Sequence, residues 1–134
     1  MRKPIILITV CRRYHELDKC IQHIESLYTE FPEKPEIVVV WACPELGRLW
    51  YFQDLLKEKR ISHLVYREST LKDGLTEGPT TYVASLNIRK GLDFIKNTYT
   101  FPFYIIYNDA DILIEPGHFR WIHNEMQTNI EGVL

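Results

Sequence analysis

No stretch of this chain approaches the ~20 consecutive apolar residues that a membrane-spanning helix needs, so no membrane segment is expected. The opening, "MRKPIILITVCRR", imitates a leader, but its apolar part runs only from Ile5 to Cys11. Arg12 and Arg13 close it, and no small-residue cleavage site follows. A cytoplasmic location is the simplest expectation. Cysteine is scarce, at three residues with no Cys-x-x-Cys pair. An odd, unpaired set argues against a disulfide framework and leaves reduced, structural thiols. Lys and Arg form no long run, and the formal net charge is -2. That balance gives no electrostatic reason for a nucleic-acid or anionic-membrane partner. Internal repeats and low-complexity segments are also missing.

What remains is a chain of 134 residues, 46% hydrophobic and 25% charged. That is enough for one domain with a real core and too little for two ordinary ones. The apolar runs "PIILITV" and "IVVVWA" are uniform rather than alternating, as in parallel strands covered on both faces. Between them, Leu17, Cys20, Ile21, Ile24, Leu27, Tyr28 and Phe31 recur at the spacing of one helix face, until the prolines of "FPEKPE" break it. Leu49, Phe52, Leu55 and Leu56 mark a shorter helix, and "SHLVYR" a weaker third strand. The polar loop "ESTLKDGLTEGPTT" is long for a compact domain, a length that goes with function or disorder. A helix with Ala84, Ile88, Gly91, Leu92 and Ile95 on one face follows. "FYIIY" is the fourth strand, and Pro116 suits the first turn of a last helix, roughly Gly117 to Gln127. Alternating strands and helices predict an α/β fold, a Rossmann-like three-layer sandwich with a mainly parallel sheet of about four strands.

Ligands of such sheets bind outside the carboxyl ends of the strands. Thr9 to Arg13, Trp41 to Glu45, Arg67 onward and Asn108 to Asp111 all follow strands and are expected at that edge. There "FYIIYNDADILIEPGHF" ends a buried run in two carboxylates. Asp109 and Asp111 are either exposed turn formers or oxygen ligands for a hard divalent cation shared with substrate phosphates. Asn87 interrupts the apolar face of its helix and needs a hydrogen-bond partner, either a backbone carbonyl of the neighbouring strand or the same site as the aspartates. The cluster Cys11, His15, Cys20 and His23 matches no standard zinc spacing, and Cys20 belongs to the apolar stripe of its helix. Trp41, Trp50 and Trp121 are expected as core or half-buried aromatics.

On these residues the chain resembles the nucleotide-sugar-binding half of GT-A glycosyltransferases of the family-2-like type, in order and over almost its whole length. "LITVCRRYHELDKCIQHI" is similar to the first strand and helix of those enzymes, with Thr9 and Arg12 or Arg13 matching and Cys11 where Asn is usual. "VASLNIRKGLDFI" is similar to the segment before the metal strand, through Asn87 and Gly91-Leu92. "YIIYNDADILIEPGHF" looks like the strand that ends in the DXD motif. The resemblance implies a GT-A fold and a nucleotide-sugar donor bordered by Thr9, Val10, Arg12, Arg67, Asn87, Asp109 and Asp111. It implies a divalent metal, Mn²⁺ or Mg²⁺, at Asp109 and Asp111. In that picture Asp111 ligates the metal that bridges the donor diphosphate, and Asp109 contacts the ribose or sugar or supports the metal. Where the family commonly reads the base with an Asp, this chain has "VVWACPE", which offers Trp41, Cys43 or Glu45.

The acceptor-binding half and the usual catalytic base of the family lie beyond the motif, whereas Leu134 ends this chain. The expectation is one nucleotide-diphosphosugar-binding domain over 1–134, truncated, minimal or needing a partner. It is a metal-dependent glycosyltransferase-like protein with an unknown acceptor, or a non-catalytic module of the same fold. Two other readings of Asp-x-Asp are disfavoured. A haloacid-dehalogenase-type phosphotransferase needs most of its fold after the motif, and a nucleic-acid enzyme lacks a basic face here. A short sheet with exposed edges leaves a homo-oligomer open.

Overall fold

β1 (Lys3–Val10) is apolar from Pro4 to Ile8, as a strand covered on both faces must be, and Ile5, Ile6, Leu7 and Ile8 are fully buried. The same holds for β2 (Glu36–Trp41), which pairs with it in parallel. These are the uniform runs of a sheet sandwiched between helices. The structure, a computed structural model, describes residues 2–10, 14–41, 49–67 and 80–128. Around the two central strands come α1 (Tyr14–Ser26), a 3₁₀ turn (Tyr28–Glu30), α2 (Leu49–Lys57), β3 (His63–Tyr66), α3 (Thr80–Thr98), β4 (Phe103–Asp109) and α4 (His118–Thr128).

The sheet has four strands, all parallel among the described residues, in the order β3-β2-β1-β4. On one face, Ile6, Ile8 and Val10, Ile37, Val39 and Trp41, and Tyr104 and Ile106 pack against α1, α2 and α4. On the other, Ile5, Leu7, Val38, Val40 and Val65 pack against Ile95 of α3. This is the expected Rossmann-like three-layer sandwich. The chain steps outward from β1 to β3, then returns through α3 to place β4 on the far side of β1. The strand order therefore reverses between β1 and β4.

Helix α3 sits close to the sheet at Gly91. A Cβ built there would lie 2.5 Å from Leu7 Cδ1 and 2.9 Å from Val40 Cγ2, so only glycine allows this approach. The buried stripe of α3 is Asn87, Gly91 and Ile95, spaced one turn apart. Leu92, expected on that face, is 40% exposed, because one residue further round the helix turns it some 100° off the stripe. Trp121 likewise departs from expectation at 52% exposure. The sheet-facing positions of α4 belong to Phe119 and His123, and Trp121 falls between them on the outer side. The "FYIIY" strand extends two residues further than its apolar run, so Asp109 is itself a strand residue.

Glu30, on the 3₁₀ turn, accepts the backbone N–H groups of Gly117 (2.7 Å) and Arg120 (3.0 Å) at the start of α4. Burial alone would raise this carboxyl's pKa, but the hydrogen bonds from Gly117 and Arg120 and the Arg120 charge hold it below its ordinary value. A carboxylate at a helix N-terminus satisfies orphan donors and complements the helix dipole.

Candidate functional site at the carboxyl edge of the sheet

In an open α/β sheet the crevice for ligands opens where the strand order reverses, here between the carboxyl ends of β1 and β4. The register places Thr9 of β1 opposite Asp109 of β4 at that point. Strand alternation then sends Thr9, Tyr107 and Asp109 to the α3 side. Tyr107 O–H donates to Asp109 Oδ1. With that proton committed, the Thr9 hydroxyl is the donor in the 3.0 Å Thr9–Tyr107 bond. Burial and the Asp109 carboxylate push the Tyr107 hydroxyl up to about 12, so it stays a neutral donor.

The neighbouring strand end adds a second polar pair. Arg67 extends the β2–β3 ladder by donating its N–H to Trp41 O at 2.9 Å. Its Nε–H donates to Asn87 Oδ1 at 2.6 Å. Asn87 is only 2% exposed. Among the described residues the oxygen of this buried amide thus meets the guanidinium of another site candidate. Val10 places its side chain in the core between sheet and α1, so its backbone is what it can offer at the edge. Arg12, Cys43 and Glu45 lie outside the described residues, as do Cys11, the long polar loop at 68–79, and the side chains of His15 and Trp50.

Beyond β4 the chain turns sharply. Ile112 N–H donates to Asp109 O at 3.1 Å, closing a four-residue turn in which Asp109 is first and Asp111 third. Ala110 is buried under it. Asp111 is exposed and lines an open concavity of about 280 Å³ with Glu16, Lys19, Ala110 and Leu113. The two carboxylates therefore share one turn but serve different sides of it. Asp109 joins Thr9 and Tyr107 on the α3 side, and Asp111 faces the α1 side. Both charges reach Cys20, whose thiol is pushed up to about 11 by burial first and by Asp111 and Asp109 second. Neither aspartate forms an ion pair among the described residues.

Among the described residues no group of three or more His, Cys, Asp or Glu side chains is arranged to hold a metal ion. The exposed Asp111 can offer an oxygen to a hard cation that completes its shell with ligand and water oxygens, the usual manner of Mg²⁺. Asp109, bonded to Tyr107 on the other side of the turn, is not placed to share it. A scan against protein-family models and a search of curated proteins return no match.

Sequence reasoning passed over Tyr107 and placed Asn108 at the edge of the sheet without a role. Tyr107 stands two residues before Asp109, and the period of two puts both on one face. Asn108 stands two residues after Ile106, a polar residue at a core-facing position. Lys19 and Glu16 carried no signal, since only the fold brings α1 beside the turn.

Proposed function

We propose that this chain binds a nucleotide-sugar donor through a divalent cation held at Asp111, with Asp109 beside it on the same turn, as a glycosyltransferase-like protein. The observation that carries the reading is the pairing of Thr9 with Asp109 where the strand order reverses, with Asp111 exposed on the adjoining turn. Asp111 offers its carboxylate outward, toward a cation and the diphosphate. Asp109, oriented by Tyr107, is set to accept hydroxyl groups of the ribose or sugar, with Thr9 bordering the nucleoside. Arg67, steered by Asn87, brings positive charge to the same edge of the sheet. The cation, Mn²⁺ or Mg²⁺, neutralises the charge that develops on a departing nucleoside diphosphate.

The test is calorimetric titration with nucleoside diphosphates and their sugars, with and without Mn²⁺. Binding should require the metal and fall by at least about 100-fold in Asp111→Ala, with the melting temperature nearly unchanged because Asp111 is an exposed side chain. Metal-independent binding, or no binding of any nucleotide, would sink the reading.

A further inference from the structure

We infer that Asn108 is the positioning residue of the acidic turn, fixing from beneath how Asp109 and Asp111 are presented. The role toward a bound cation rests on the donor reading above, whereas the clamp on the turn does not.

Asn108 is the penultimate residue of β4, on the face shared with Tyr104 and Ile106, and it is 3% exposed. Its Nδ2 donates to Asp109 O at 2.7 Å and to Ile112 O at 3.0 Å, the carbonyls of the two residues that bound the turn. An amide has two N–H donors, and both are spent here. Nδ2 also lies 3.3 Å from Cys20 Sγ, which seats the amide against α1. Its Oδ1 is buried with no hydrogen-bond partner among the described residues. An apolar residue would fill this core position with no unsatisfied oxygen, so the amide returns nothing to packing. What it does supply is a fixed distance between the start and the end of the turn. With Asp109 first and Asp111 third in that turn, fixing its two ends fixes the relative position of the carboxylates. Groups that hold the ligands of a metal commonly change its affinity 10–100-fold when removed.

The test compares Asn108→Ala with Ile106→Ala, a core truncation two residues earlier on the same face of β4. Backbone ¹⁵N relaxation reports the turn, and Mn²⁺ titration in the presence of a nucleoside diphosphate reports the site. In Asn108→Ala the order parameters at Ala110, Asp111 and Ile112 should fall from about 0.85 toward 0.6 or below, with Mn²⁺ affinity at least about tenfold weaker. Ile106→Ala should lower the melting temperature and leave both readings in place. Asn108→Ser keeps one donor and should fall between, and it carries the test if the alanine variant does not fold. A turn that stays rigid without the amide overturns the inference. A turn that loosens while Mn²⁺ affinity holds overturns the role of Asn108 toward the cation. Should the unaltered protein bind neither cation nor nucleotide, the donor reading falls. Relaxation alone then decides whether Asn108 positions the turn.

Discussion

The two ends of this one sheet use polar side chains in opposite ways. At the amino end they are spent on one another. Lys3 Nζ meets Glu36 at 3.1 Å, Ser62 O–H donates to the same carboxylate, and Ile37 N–H donates to Ser62 Oγ at 3.1 Å. Gln127 closes the first strand, accepting Arg2 N–H at 2.8 Å and donating to Arg2 O at 2.9 Å. At the carboxyl end neither Asp109 nor Asp111 is met by a cation among the described residues. Thr9 and Tyr107 aim Asp109, Asn87 aims Arg67, and Asp111 faces outward. A carboxylate answered by a lysine and a serine is architecture. Carboxylates oriented by neutral hydroxyls and amides keep their charge available for a ligand.

The comparison is broken most forcefully from the middle. Gly91→Ala places a Cβ against Leu7 and Val40, both fully buried. It should destabilise by about 1–3 kcal/mol through overpacking, even though alanine is the better helix former by ~1 kcal/mol. Urea denaturation reads this directly, and an unchanged midpoint would mean that α3 can lift off the sheet freely.

Glu30→Gln tests a carboxylate that is architectural and buried. It should cost about 1 kcal/mol at neutral pH through the weakened cap. Because the folded state lowers the pKa of Glu30 below 4.5, its contribution is fully present above the unfolded value. It is lost as pH falls through the folded value. The gap between the two proteins should therefore close in denaturation curves taken below about pH 4.

Lys3→Ala is the mildest. The Lys3 and Glu36 side chains are 45% and 30% exposed, so the loss should stay under about 1 kcal/mol and shrink with added salt. A larger, salt-independent loss would mean that the amino end is a buried network.

The layered fold was legible because its signals are local. β1 and β2 show continuous burial as continuous apolarity, and the stripe of Leu17, Cys20, Ile21 and Ile24 on α1, with Leu27 and Phe31 beyond its end at Ser26, names residues that reach the core. The aspartates were legible as a pair at a strand end. Which side each would serve was not, because a turn geometry decides it. Partners far apart in sequence were invisible for the same reason. Nothing near Glu30 announces that it caps a helix starting at His118, and nothing near Asn87 names Arg67. Trp121 and Leu92 were misplaced because each belongs to an amphipathic helix whose buried stripe is set by the neighbours that the fold supplies.

Gly91 has one more consequence. Asn87 stands a single turn before it, about 6 Å along the helix axis, so the depth at which α3 is seated also sets how far Asn87 reaches over the strand ends. The missing methyl group acts as a spacer of zero thickness between scaffold and crevice. The width of that crevice is therefore open to retuning from a position outside it. A bulkier residue at 91, with Leu7 or Val40 trimmed to receive it, would raise or tilt the helix and swing the Asn87–Arg67 pair. The aperture would change while every residue lining it stayed the same.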